Sequence, residues 1–429
     1  MRLLVVTYYY PPSGGAGVQR PTKWAKYLPT EGVEPVVLTV REGAYPHLDP
    51  AMLTDVAGVE SVRTRAPDPF GLYGAVTGRS REQAVAARTG RVGDSPSPAE
   101  RFARWVRGNV FVPDARVGWV PFALAAARRV QRADPVDAVL TTGPPHSAHL
   151  VGLALQSAWG VPWVADFRDP WADIHYTDSL GRGALAAGLD RTLEQSVLNR
   201  ADLVLTVSDP LRAALAADAR GDVVTIRNGY DPEDFATPAP PVRSDVFEVA
   251  YVGTLFGSLG PLLDAVAALR RRGEAERLRL RFVGAAAPGL AGEVEARGLG
   301  DVVEVRPPVS HPEAVGAMRR AALLLLTIDA SWSYAPGVVP GKTYEYLASG
   351  RPVLGLGPAG DAADILRETG AGVMLPDAET VEAELLRHYQ AWEGGAPLAG
   401  AEPEAVQAYS RREQAAHLAR LLRAVSPGP

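Results

Sequence analysis

Residues 5–28 read VVTYYYPPSGGAGVQRPTKWAKYL: an apolar, β-branched run breaks into two prolines and three glycines, then resumes as a helical pattern. A strand-to-helix turn needs one or two such residues. A longer stretch this free of side chains leaves room for something to lie against the backbone. Gly14, Gly15 and Gly17 allow positive φ and close approach, and the helix start that follows offers free N–H groups to an anion. The spacing is not GxGxxG, so a nicotinamide fingerprint is not supported. A merely tight turn is the plainer reading of the same residues. Arg20 falls in the first turns of that helix, where a cation opposes the dipole; an anion nearby would remove the conflict.

Short β-branched runs alternate with Ala/Leu/Arg-rich helical patterns along the whole chain, the signature of parallel βαβ units. The expected strands are 2–8, 35–40, 137–142, 162–167, 202–207 and 222–227 in the first half. In the second half they are 247–252, 279–283, 302–306, 322–328 and 352–356. Their continuous apolar character fits strands buried on both faces. Between the halves lies ATPAPPVRSD, residues 236–245, which reads as a linker. The fold class is therefore α/β, with two Rossmann-like doubly wound domains facing across a cleft. The expected division is 1–238, 246–400 and a C-terminal helical stretch, 401–429, packing back on the first domain. Ligands of such sheets bind outside the carboxyl ends of the strands, so function should sit in the loops that follow strands.

At 429 residues the chain is long enough for two cores. Its formal charge of −5 argues against nucleic acid as a partner. No apolar run reaches the length of a membrane span, and MRLLVVTYYYPP reads as a first strand rather than a secretion signal. The absence of cysteine removes disulfides and thiolate chemistry and makes a cytoplasmic location the expectation. One stretch departs from the acidic average. Over 79–132 arginines far outnumber acids and are interleaved with Phe102, Trp105, Phe111 and Trp119. That pattern suits either a solvated helical face or a surface that meets anionic headgroups or a phosphate-bearing acceptor, with the protein peripheral on the inner face of the plasma membrane.

The richest stretch is TIDASWSYAPGVVPGKTYEYLASGRPVLGLG, residues 327–357. A strand ends, a Gly/Pro loop follows, and a helix starts near Gly341. Lys342 and Glu345 then share a helix face, with Ser349 one turn further on. A carboxylate suits a helix N-terminus; an ammonium there does not, unless it meets a phosphate. A carboxylate is also a good acceptor for two ribose hydroxyls. Phosphate at the helix start and a diol on the carboxylate is what a nucleoside diphosphate would need, although an ordinary surface ion pair has the same spacing.

VVPGKTYEYLASGRPVLGLG resembles the donor-site helix of the retaining glycosyltransferases of family four, which have the GT-B fold. Other segments fall in the family's order. PPSGGAGVQRPTKWAKYL is similar to its glycine loop. AVLTTGPPHSAHLVGLAL, VADFRDPW, LVLTVSDPL and IRNGYDPEDF are similar to its later N-domain segments, and VAYVGTLFGSLGPLLDAV and LRFVG to the opening of its C-domain. The likeness spans nearly the whole chain apart from about 45–110. It implies a nucleotide-sugar donor on the C-terminal domain and an acceptor (a sugar, a lipid-linked sugar or a small molecule) on the N-terminal one. By position, Glu345 would hold the ribose hydroxyls, and the backbone at Val338 and Val339 would approach sugar or phosphates. Pro308 and Val309 would edge the base, and Gly253 and Thr254 would border the donor. Gly14 and Gly15 would face the diphosphate, and His146 would lie near the transferred sugar.

The chain also departs from that pattern. The family often carries E-x7-E, and the first position here is Gly337. An arginine and a lysine that commonly follow the first C-domain strand are replaced by Thr254 and Leu259. Lys342 is the first substitute for the missing phosphate counter-charges, with Arg20 and Arg168 behind it. In DFRDPW, an acceptor role for Asp169, Trp171 and Arg168 stands beside an internal salt-bridge network with Asp166. His146 could equally cap the next helix, and NGYD at 228–231 reads as a turn. No D-x-D in a convincing loop, no H-E-x-x-H and no paired glycosidase carboxylates stand out, so neither a metal nor a cofactor is expected. The rival functions are a nucleotide-sugar 2-epimerase and a catalytically idle nucleotide-sugar-binding homologue.

Overall fold

In the computed structural model the chain forms two compact units, Met1–Arg227 with Gln414–Pro429, and Asn228–Glu413. The structure describes residues 1–43, 45, 48–67, 98–172, 181–238, 240–242, 245–255, 258–287, 289–332 and 334–426. Positions 79–97 of the arginine-rich stretch lie outside the described residues.

The first unit is built on β1 (Arg2–Val6), β2 (Glu34–Val40), β3 (Glu60–Thr64), β4 (Ala138–Gly143), β5 (Trp163–Phe167), β6 (Leu203–Thr206) and β7 (Val223–Thr225). All neighbours are parallel, in the order β3-β2-β1-β4-β5-β6-β7. Alternate residues of β1 feed opposite layers: Leu4 and Val6 pack with Trp119, Trp163 and Phe167, while Leu3 and Val5 pack with Trp24 and Leu28. That two-sided burial is why the strand reads as a continuous apolar run. The C-terminal helix Arg411–Val425 closes the second layer through Ala415, Leu418, Ala419 and Leu422.

The second unit is built on β8 (Phe247–Val252), β9 (Leu278–Val283), β10 (Val303–Arg306), β11 (Leu323–Thr327), β12 (Val353–Leu356) and β13 (Gly372–Leu375), again all parallel, in the order β10-β9-β8-β11-β12-β13. Strand order reverses between β1 and β4 in one sheet and between β8 and β11 in the other. These are the switch points where such sheets bind ligands.

The division between the units falls at Arg227, ahead of the expected linker. Tyr230 explains it: its N–H donates to Tyr409 O at 3.2 Å, and its carbonyl accepts from Arg411 N–H at 2.8 Å. The turn 228–231 and the 3-10 segment Pro232–Phe235 are therefore tied to the second unit. Two strands go beyond the sequence reading, β3 and β13, each at an edge of its sheet.

Candidate active site

In the second unit the loops after β8, β10, β11 and β12 emerge at one edge of the sheet, because the strands are parallel. The helix Lys342–Ser349 is held against that edge by its buried face. Tyr344, Tyr346 and Leu347 enter the core, and the Tyr346 hydroxyl accepts from Val252 N–H at 3.0 Å, the last residue of β8. This leaves Lys342 and Glu345 half-buried above the strand ends. Ser349 does not join them; it is buried, and its hydroxyl donates to Tyr346 O at 2.6 Å near the helix end.

Lys342 lies over the end of β8. Its Nζ is 3.6 Å from the centroid of the Tyr251 ring and donates to Thr254 O at 3.4 Å. Gly253 has φ 117° and faces the ammonium; a Cβ there would come within 3.1 Å of Nζ. Only glycine suits that backbone and leaves the lysine its place. Burial lowers the Lys342 pKa from the ordinary lysine value to about 7, with Glu345 opposing the shift. A lysine so poised takes up a proton readily once an anion arrives.

Glu345 is shifted the other way. Burial raises its pKa, His311 opposes, and Asp234 adds to the rise; Lys342 and Arg411 oppose. His311 Nδ1 is 3.9 Å from Glu345 Oε1, and His311 Nε2 is 3.1 Å from Asp234 Oδ2. Neither His311 nor Asp234 was singled out from the sequence. Three residues on separate segments meet here, and the one local signal that could have pointed to them is the capping box of Ser310 and Glu313 that fixes the start of helix His311–Arg320.

The remaining donor-side positions line the same edge. Thr254, Pro308 and Val309 are exposed, and Val338 and Val339 are half-buried. Gly337 ends the short turn Ala335–Gly337, with its N–H bonded to Tyr334 O at 2.9 Å. Leu259 is buried in the core of the unit, so no side chain at that position faces a ligand.

In the first unit the loops after β1 and β4 flank the switch point. Gly15, with φ 105°, precedes the helix Ala16–Tyr27; Gly14 is buried and Gly17 lies inside the helix. His146 immediately precedes the helix Ser147–Trp159. It is buried and stacks on Trp171, with ring centroids 4.8 Å apart and planes 14° apart. The capping role is taken instead by Asp114, which accepts from Ser147 N–H at 2.9 Å and Ser147 Oγ at 2.7 Å. Both ring nitrogens of His146 are buried, with the Pro170 backbone within reach of the ring. Burial lowers its pKa to about 4, with Asp114 opposing. The imidazole is thereby held neutral.

Two expectations are corrected here. Arg20 is not a cation awaiting a donor: it is fully buried. Its Nε and Nη2 bind Asp166 at 2.9–3.2 Å, its Nη1 donates to Ile226 O at 2.7 Å and Arg227 O at 3.1 Å, and its guanidinium lies 4.1 Å from the Trp24 ring centroid. The conflict with the helix dipole is answered by an internal carboxylate rather than by a ligand. Trp171, 2% exposed, gives its indole N–H to Asp190 at 2.8 Å and presents its face to His146, so it supports the site without an open surface for an acceptor. Arg168 is committed to backbone carbonyls: Gly143 at 2.9 Å, Pro144 at 2.7 Å, and Gly17. Asp169 is half-exposed beside it.

Residues 79–234 match the family model described as Glycosyltransferase Family 4, and residues 247–391 the one described as Glycosyl transferases group 1. Among solved structures, sucrose-phosphate synthase from Thermosynechococcus elongatus is similar at 15% identity and TM-score 0.65, over 99% of this chain and 98% of that one. HepE of Anabaena, in complex with UDP, is similar at 16% identity and TM-score 0.63, over 99% and 100%. A UDP-forming α,α-trehalose-phosphate synthase from Burkholderia vietnamiensis follows at 11% identity and TM-score 0.58, over 99% and 98%. No curated protein is significantly similar in sequence. Family models and fold together support a glycosyltransferase of the GT-B fold.

Proposed function

We propose that the protein is a metal-independent, retaining glycosyltransferase of family four that moves a sugar from a nucleotide-sugar donor to an acceptor hydroxyl, in cell-surface polysaccharide or glycolipid assembly or in natural-product glycosylation. The observation that carries this reading is the meeting of Lys342, Glu345, Gly253 and Thr254 at one sheet edge. Lys342 would stabilise the leaving diphosphate as charge develops on it, and Glu345 would accept from the ribose diol. Val338 and Val339 would offer backbone N–H groups, and Pro308 and Val309 would border the base. The structural neighbour solved with UDP makes UDP the first nucleotide to test. On the first unit, neutral His146 would bond a hydroxyl of the transferred sugar, Gly14 and Gly15 would leave space for the diphosphate, and Asp169 would contact the acceptor. The acceptor oxygen bonds to the anomeric carbon on the face the diphosphate leaves, and its proton passes to the departing phosphate oxygen.

The test is nucleoside diphosphate release from nucleotide sugars across an acceptor panel, with and without EDTA, and the product's anomeric configuration read by NMR. Release that needs acceptor, survives chelator and keeps the donor's configuration supports the reading. A changed sugar without acceptor would favour an epimerase. Binding without turnover across the panel would favour an idle homologue. Activity restored only by magnesium or manganese would contradict the metal-free mechanism.

The reading extends to where the enzyme works, in the cytoplasm at the inner face of the plasma membrane. Among the described residues no helix is long and apolar enough to cross a membrane. The helix Pro98–Asn109 carries Phe102 and Trp105, 61% and 52% exposed, stacked with centroids 6.3 Å apart. Trp119 is not part of this surface: it is buried, with its indole N–H on Thr64 Oγ1 at 2.7 Å. Exposed rings beside Arg104 suit a headgroup boundary, where each basic residue near an anionic surface adds about 1 kcal/mol. The protein should float with anionic vesicles at low salt and not with neutral ones, and Phe102→Ser with Trp105→Ser should abolish flotation. Indifference to both vesicle types would sink the membrane proposal.

A further inference from the structure

Asp234, His311 and Glu345 form a line of two carboxylates with an imidazole between them. His311 is the first residue of its helix, fixed there by the reciprocal bonds of Ser310 and Glu313. Asp234 sits in the turn Pro232–Phe235, which Asp231 caps through Glu233 N–H at 3.0 Å. With Nε2–H donated to Asp234 at 3.1 Å, the other nitrogen meets Glu345 with either a lone pair or a second N–H. A lone pair facing a carboxylate repels it, whereas an imidazolium N–H attracts it. The helix start opposes a cation, and the flanking carboxylates offset that.

We propose that His311 is a positioning residue for Glu345: anchored on Asp234, it holds the carboxylate turned to accept both hydroxyls of a ribose. This rests on Glu345 being the diol acceptor. The charged groups facing the pair are Asp234, Lys342 and Arg411, together with Glu313 on the histidine's own helix, which is engaged with Ser310. Arg411 keeps its charge throughout. Lys342 titrates nearby but serves the diphosphate, so its effect cancels when two ligands with the same diphosphate are compared.

The experiment is calorimetry with whichever of UDP, GDP and ADP binds tightest, and with its 2′-deoxy form, between pH 5.5 and 8.5. The readout is the ratio of the two affinities. In the parent the ratio should be about tenfold near neutrality. It should fall on the acid side as Glu345, its pKa raised by burial, gains a proton. His311→Gln should give a low ratio. Asp234→Asn keeps the histidine but removes its anchor, and should lower the ratio part of the way. Parental ratios and pH profiles in both variants would overturn the role of His311, while a loss in Glu345→Gln would leave the diol reading standing. A Glu345→Gln ratio equal to the parent's, or no binding of any of the three nucleotides, would overturn both.

Discussion

Lys342→Ala lowers turnover by about 10²–10³-fold, the usual cost of removing one donor aimed at charge that develops in the transition state. The effect on folding should be small, because the ammonium rests on a ring face and one carbonyl rather than in a buried pair. The direction of its pKa shift adds a sharper signature. A lysine with its folded value lowered to about 7 is largely neutral at pH 8 in the free protein. Its contribution to the stability of the free protein is unfavourable below that value and is relieved as pH rises from about 7 toward the ordinary lysine value. A bound diphosphate favours the ammonium, so nucleotide binding at pH 8 should take up close to one proton, and binding at pH 6 almost none. Calorimetry in buffers of different ionisation enthalpy reads that number directly. Parental turnover in Lys342→Ala, or proton uptake unchanged by it, would remove the lysine from the leaving-group role.

Asp166→Ala should destabilise the first unit by about 3–5 kcal/mol, because it strands a buried guanidinium. Arg20 and Asp166 have no side-chain exposure, and the carboxylate also accepts from Thr142 Oγ1 at 2.7 Å. The pair ties helix Ala16–Tyr27 to β5 and, through Ile226 and Arg227, to the end of the unit's chain. Replacing both members with apolar residues, Arg20→Met with Asp166→Leu, should recover much of the loss, since no charge is then left unpaired. Thermal unfolding of the first unit should drop on the order of 10 °C in the single variant. A single variant that melts with the parent yet fails to turn over would return Arg20 to the reaction.

Eleven of the thirteen strands among the described residues were legible in the sequence, and the two that were not show why. β3 reads ESVRT and pairs on one side only, and β13 reads GVML and is likewise an edge. β3 carries Glu60, Ser61 and Arg63 and so lacks the continuous apolar run that betrayed β1 or β11, while β13 is only four residues long and opens on a glycine. The helix carrying Lys342 and Glu345 was legible because a Gly/Pro loop, spacing and charge agree over a few residues. Arg20 was misread because a cation in the first turns poses a conflict without saying what resolves it; its partner lies 146 positions away. His311 and Asp234 were missed for the same reason, being 77 positions apart. Local chemistry could be read along the chain, whereas the pairing of charges brought together by the fold could not.

The most direct test is chemical-shift mapping of the labelled protein with UDP, GDP, ADP, dTDP and their sugars. One nucleotide and its sugar should bind in competition, and the shifts should centre on Gly253, Thr254, Lys342 and Glu345 in the second unit. Binding by none of them, or shifts that leave those four residues untouched, would contradict a nucleotide-sugar site at this sheet edge.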